Sequence, residues 1–243
     1  MKGQPNRMSS VNSGIIALVG AGEYLPKMNP VDQYLLEQLH ETPSVVVLPT
    51  ASAPDGTGVP ERWNNMGVEH FTELGAPVEP LMLLTREDAN NPLFAEKLAY
   101  ANFIYFSGGK PGYLLETLKG TASWRAIQQV CERGGVIAGC SAGAMVMGAV
   151  LFDFPQFWRT IPALDLVPGI AVIPHFDELP RAMTSTIASI ERSKITVVGV
   201  DGATALVISQ GRWSVQGAGG VTIITRKQKH RYQAGDEIPP AEA

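Results

Sequence analysis

Five short apolar runs punctuate the first part of the chain, at residues 14–20, 44–50, 77–84, 102–106 and 135–139. Each is short enough for a strand and apolar on both faces, the pattern of a strand buried in a parallel sheet. Between them lie segments with apolar residues at helical spacing: 32–39, 61–74, 91–101, 113–119 and 123–133. A small-residue helix opens at Ala142 directly after the fifth run. Strand and helix in alternation predict an α/β fold, a doubly wound and mostly parallel sheet with helices on both faces. The last third changes character. Residues 196–200, 203–209, 212–216 and 221–226 are short and β-branched, separated by Asp201-Gly202 and Gln210-Gly211, and read as C-terminal β-hairpins that extend or cap the sheet. Residues 1–13 read as a disordered leader, and 14–243 as a single domain.

Such sheets bind ligands in the crevice beyond the carboxyl ends of their strands. Three of the runs end in small-residue turns: Gly20-Ala21-Gly22, Ser107-Gly108-Gly109 and Gly139-Cys140-Ser141. These turns are expected to meet at one edge. The sequence Gly139-Cys140-Ser141-Ala142-Gly143 fits G-x-S-x-G between a strand and a helix, the setting a nucleophile elbow requires. Ser141 would stand at the head of the following helix, where free N–H groups and the helix dipole favour developing negative charge. A serine nucleophile needs a base. Of the four histidines, His40 lies at a helix end, His70 in an exposed-looking helix and His230 in a basic terminal segment. His175 follows the apolar run 170–174 and is the candidate base. Asp201, at the end of the 195–200 run, is the favoured orienting acid, with Asp153 and Glu178 as alternatives. The N–H groups of Ala142 and Gly109 are candidate oxyanion donors. Gly108, Lys110 and Glu23 are candidate substrate contacts, although Glu23 also reads as the first residue of a helix and Lys110 as a loop charge.

Four blocks give the chain a family resemblance: Phe106-Ser107-Gly108-Gly109, the stretch from Ala138 to Ala144, Ile173-Pro174-His175-Phe176, and Gly199-Val200-Asp201-Gly202-Ala203-Thr204-Ala205-Leu206. In that order they resemble cyanophycinase-like and dipeptidase E-like serine peptidases, from about residue 14 to residue 224. The resemblance implies a class I glutamine amidotransferase-like fold and a Ser…His…acid order, with Ser141 and His175 in the first two roles. It also implies cleavage of peptide or isopeptide bonds that involve aspartate. Two positions depart from the family pattern. Lys110 and Pro111 stand where acidic and amide residues are usual, and Gly202 stands where some members have the triad glutamate.

Composition sets the rival readings. Net charge is −4, and the basic run Arg226-Lys227-Gln228-Lys229-His230-Arg231 reads as a solvated strand or turn. Nucleic-acid binding is therefore not expected. Cys131 and Cys140 suit reduced, buried thiols and a cytoplasmic protein. The N-terminal segment lacks a signal-peptide core, and no apolar run reaches the roughly 20 residues that span a bilayer. No cofactor and no metal are implied. A small peptide is the expected partner, and a homodimer is possible. A cysteine-dependent glutamine amidotransferase is disfavoured because Cys140 lies one position before the centre of the elbow. Nucleotide binding is disfavoured because Leu25 replaces the third glycine of G-x-G-x-x-G. A catalytically idle relative that binds a peptide or a protein remains the main alternative to an enzyme.

Overall fold

The computed structural model describes residues 14–152, 159–180, 195–226 and 228–239. The expected leader and Asp153 lie outside them. The first strand, β1 (Ile15–Val19), is followed by helix α1 (Asn29–Glu37), β2 (Val45–Leu48), α2 (Val59–Glu73) and the short β3 (Val78–Pro80). Two helices, α3 (Arg86–Asn90) and α4 (Pro92–Tyr100), lead into β4 (Phe103–Phe106). Helices α5 (Pro111–Leu118) and α6 (Ala122–Glu132) then precede β5 (Val136–Cys140), which turns at Ser141 into α7 (Ala142–Met147). The expected third strand is real but brief: only three residues pair with β2, and Pro80, which has no N–H to donate, closes this edge.

The strands β1, β5, β4, β2 and β3 lie side by side and parallel in that order. Period-two alternation divides their side chains between two cores. Ile15, Ala17 and Val19 face α1 and α2, together with Val45, Val47, Phe103 and Tyr105. Ile16, Leu18, Val46, Leu48, Ile104 and Phe106 face the layer that contains α4, α5, α6 and α7. This is the expected α/β fold, with helices on both faces of a mostly parallel sheet.

The C-terminal region departs from simple hairpins. A small ribbon, β6 (Val150–Phe152) with β7 (Thr160–Pro162), is followed by β8 (Ile170–Ile173), β9 (Thr196–Val200), β10 (Thr204–Ser209), β11 (Arg212–Gly217), β12 (Gly220–Ile224), β13 (Lys229–Gln233) and β14 (Glu237–Ile238). The Gln210-Gly211 turn makes the expected hairpin: β10 and β11 pair antiparallel across two residues at φ 50° and 75°, the backbone of a tight hairpin turn. With β14 they extend the main sheet beyond β1. Asp201-Gly202 is not a hairpin turn. β9 belongs to a second sheet, ordered β13-β12-β9-β8, and the chain changes sheets at this dipeptide. A parallel bridge between Ala21 and Gly202 joins the end of β9 to the end of β1. The carboxyl ends of β8 and β9, which are parallel, are thereby brought to the same edge as those of the main sheet.

His70 also differs from expectation. It is buried on the inner face of α2, and its Nε2 bonds to the fully buried Asp32 of α1 at 2.8 Å. The pair ties the two helices together beneath a cluster of aromatic rings that includes Tyr24, Phe71 and Tyr105. Burial raises the Asp32 carboxyl above its ordinary range, and the bond to His70 counters the shift. Removing one partner strands a buried polar group, so His70→Ala is expected to destabilise the fold by about 3–5 kcal/mol. Urea denaturation measures this, and a loss under about 1 kcal/mol would show that the pair is structurally idle.

Candidate active site

The site is built by backbone strain at the carboxyl edge. Six non-glycine residues have positive φ among those described: Tyr24, Ser141, Asp165, His175, Ala203 and Gln210. Four of them follow strands that end at this edge: Tyr24 after β1, Ser141 after β5, His175 after β8 and Ala203 after β9. Strain of this kind persists only where the surroundings over-determine the conformation.

Ser141 has φ 49° and ψ −107° at the cap of α7. Its N–H donates to the Val19 carbonyl at 3.0 Å, and its carbonyl accepts from the Met145 N–H at 3.0 Å. The bend is fixed by contacts that no side chain could enter. A methyl group on Gly139 would lie 2.6 Å from the Gly143 backbone, and one on Gly143 would lie 2.8 Å from Phe106. The Ala142 N–H, at the open first turn of the helix, has no hydrogen-bond partner among the described residues.

The end of β4 lies against this bend. A methyl group on Gly108 would be 3.4 Å from Ser141 Cβ and 2.8 Å from Glu23 Oε1. Glu23 is buried. Its Oε1 accepts from the Gly108 N–H at 2.7 Å, and its Oε2 accepts from the Cys140 thiol at 2.8 Å. Gly109 has φ 142°, and a methyl group there would be 2.3 Å from the Ala51 carbonyl oxygen, so glycine is required. Lys110 is mostly exposed and sits 3.6 Å from Asp55, a surface pair of little energetic weight. Burial, with Glu23 alongside, pushes the Cys140 thiol well above its ordinary value. A buried, protonated thiol is a poor nucleophile.

His175 is left-handed at φ 51°, ψ 36°, and its ring is 41% exposed. Phe176 anchors the turn by lying on Gly199 of β9, where a methyl group would be 2.4 Å from the ring. Asp177 holds the neighbouring junction by accepting from the Gly202 N–H at 2.8 Å. The carboxylate on His175 is that of Glu178, with Nδ1···Oε1 3.3 Å. The expected bond between Asp201 and His175 is not made. Asp201 is buried, and its Oδ2 is taken by the Gly220 N–H at 2.9 Å and by the Arg231 guanidinium, while Oδ1 has no partner among the described residues. The Ser141 hydroxyl likewise makes no hydrogen bond among the described residues. Among those residues, no group of three His, Cys, Asp or Glu side chains is arranged to hold a metal ion, and no helix is long and apolar enough to cross a membrane.

The profile of peptidase family S51 matches residues 16–215, most of the chain. The chain belongs to peptidase family S51. This S51 chain is 31% identical over 146 residues to an uncharacterized peptidase of Pasteurella multocida (strain Pm70), covering 56% of this chain and 67% of that protein. Its fold matches the crystal structure of a peptidase from an acI-B1 Actinobacterium with a TM-score of 0.85 and 33% identity, over 93% of this chain and 96% of the other. A protein of Listeria monocytogenes EGD-e, described as a candidate peptidase E, has the same fold, with a TM-score of 0.62 and 20% identity over 84% and 98% of the two chains. Family membership makes the protein a serine-type peptidase, a hydrolase.

Sequence reading of the S51 chain missed the partners of Asp201. Arg231 lies in the basic run that reads as a solvated strand, and only the second sheet brings it to Asp201. Arg231→Ala would leave a buried carboxylate oxygen short of a donor and is expected to cost about 1–3 kcal/mol. A melting curve that does not move in this variant would contradict the pairing.

Proposed function

We propose that this peptidase cleaves an amide bond through an acyl-enzyme on Ser141, acting on a small peptide or isopeptide, with aspartate-containing dipeptides and cyanophycin-like β-linked isopeptides as the first substrates to test. One observation carries the reading: Ser141 is held at positive φ on a bend closed by Gly139 and Gly143, at the head of a helix whose first N–H has no partner among the described residues. That conformation is costly, and packing of the bend alone does not call for a serine there.

In this mechanism His175 Nε2 takes the Ser141 hydroxyl proton as Oγ attacks the substrate carbonyl carbon. The carbonyl π electrons move to oxygen, and the N–H groups of Ala142 and Gly109 stabilise that oxyanion. Collapse breaks the C–N bond as His175 delivers the proton to the departing amine. Water, deprotonated by the same imidazole, then releases the acid and regenerates Ser141. The 3.3 Å approach of Glu178 to Nδ1 supports this carboxylate as the group that orients the ring and leaves Nε2 for Ser141. Asp201 serves in this reading as a buttress: joined to Gly220 and Arg231, it fixes the end of β9 beneath His175. No hydrogen bond joins His175 to Ser141 among the described residues, and in this reading it forms as substrate arrives.

A fluorophosphonate probe tests the proposal. Ser141 of the wild type is expected to be phosphonylated. Ser141→Ala should abolish labelling, Cys140→Ala should retain it to within about tenfold, and His175→Ala should slow it by about 10³-fold or more. Hydrolysis of aspartyl dipeptides and β-linked isopeptides, with Ser141→Ala as the blank, then identifies the substrate. A wild-type protein that never labels in its native state would favour the idle, peptide-binding alternative.

A further inference from the structure

We infer that Glu23 is a positioning residue for the turn 107–110, tying back the Gly108 N–H so that the Gly109 N–H is the one left for an acyl oxygen on Ser141. The inference deepens the hydrolase reading and rests on it for its catalytic consequence.

The turn contains four consecutive N–H groups. That of Ser107 goes to the Leu48 carbonyl at 3.1 Å, that of Lys110 to the Ala51 carbonyl at 2.7 Å, and that of Gly108 to Glu23 Oε1 at 2.7 Å. The Gly109 N–H has no partner among the described residues. Two of the three restraints are backbone to backbone and come with the fold. The third is a side chain reaching from the end of a different strand, β1, and it acts on the residue beside Ser141.

Glu23 is itself held from both sides. The Ala21 carbonyl accepts from the Ala203 N–H at 2.9 Å, and the Gly22 carbonyl accepts from the Leu25 N–H at 3.1 Å, which fixes the path of the turn. Tyr24 adopts φ 61°, and its ring packs 5.1 Å from that of Tyr105 and 5.9 Å from the imidazole of His70. These contacts fix the turn on which Glu23 stands. The second carboxylate oxygen accepts a hydrogen bond from the Cys140 thiol, so the two oxygens bind donors at the ends of two neighbouring strands, β4 and β5. What the arrangement uses is the reach of the side chain.

Reach and charge can be separated. Glu23→Gln keeps the length and an acceptor oxygen but removes the charge; Glu23→Asp keeps the charge and withdraws it by one methylene. In full-length protein, hydrogen exchange at the bonded N–H groups of Gly108 and Lys110 should be accelerated at least about tenfold in Glu23→Asp and stay close to wild type in Glu23→Gln. The first-order rate of fluorophosphonate labelling at saturation should fall about 10²-fold in Glu23→Asp, with little change in half-saturation, and stay within about fivefold in Glu23→Gln. Unchanged exchange in Glu23→Asp overturns the inference, as does a Glu23→Gln variant impaired more than Glu23→Asp. A wild type that does not label at all defeats the hydrolase reading instead, and the exchange comparison still decides whether Glu23 positions the turn.

Discussion

The site depends on backbone approaching backbone where no side chain fits. At the carboxyl edge, Gly20 lies against the carbonyls of Val200 and Asp201, Gly139 against Gly143, Gly143 against Phe106, and Gly109 against Ala51. A methyl group at any of these positions would fall 2.0–2.8 Å from a neighbouring atom. Close packing of this kind turns a flexible turn into a fixed one, because any relaxation must move a strand. The positive φ angles of Tyr24, Ser141, His175 and Ala203 lie in the turns at this same edge. They are local costs borne by a large, doubly covered sheet, and they shape four turns at one edge of it.

Buried acids supply the second layer of order. Asp32, Glu23 and Asp201 lie inside the protein, and each is matched to donors from other elements: His70; the Gly108 N–H and Cys140 thiol; and the Gly220 N–H with Arg231. Each therefore joins segments distant in sequence. The Asp32–His70 pair braces the two helices under the β1 turn, Glu23 links that turn to the ends of β4 and β5, and Asp201 locks the point where the chain passes from one sheet to the other. Beside this scaffold, His175 is the less constrained part. Its ring is partly open to solvent and bonded to an exposed glutamate, which suits the proposed role of a base that meets Ser141 as substrate arrives.

Much of this is legible in the sequence for identifiable reasons. The parallel strands announce themselves because strands covered on both faces read as continuous apolar runs, and the elbow because its crowding demands small residues on either side of Ser141. The Gln210-Gly211 hairpin is equally local. The Asp201-Gly202 dipeptide misleads for the same reason: it is a local turn signal, but β9 pairs with β8 and β12 rather than with β10, and those pairings leave no signature in the connecting residues. His70 misleads because an imidazole on a polar-looking helix gains its burial only when Asp32 arrives from another helix. The role of Arg231 is invisible from sequence, since it depends on β12 and β13 placing that side chain over Asp201. Short-range chemistry is readable from the chain, whereas pairings between sheets are not.

The most direct test of the account is a crystal structure of the protein after reaction with a fluorophosphonate. The account predicts phosphorus bonded to Ser141 Oγ, the phosphoryl oxygen accepting from the N–H groups of Gly109 and Ala142, and the His175 ring turned toward the adduct. A phosphoryl oxygen directed to solvent, or a His175 ring out of hydrogen-bond reach of the adduct, would contradict it.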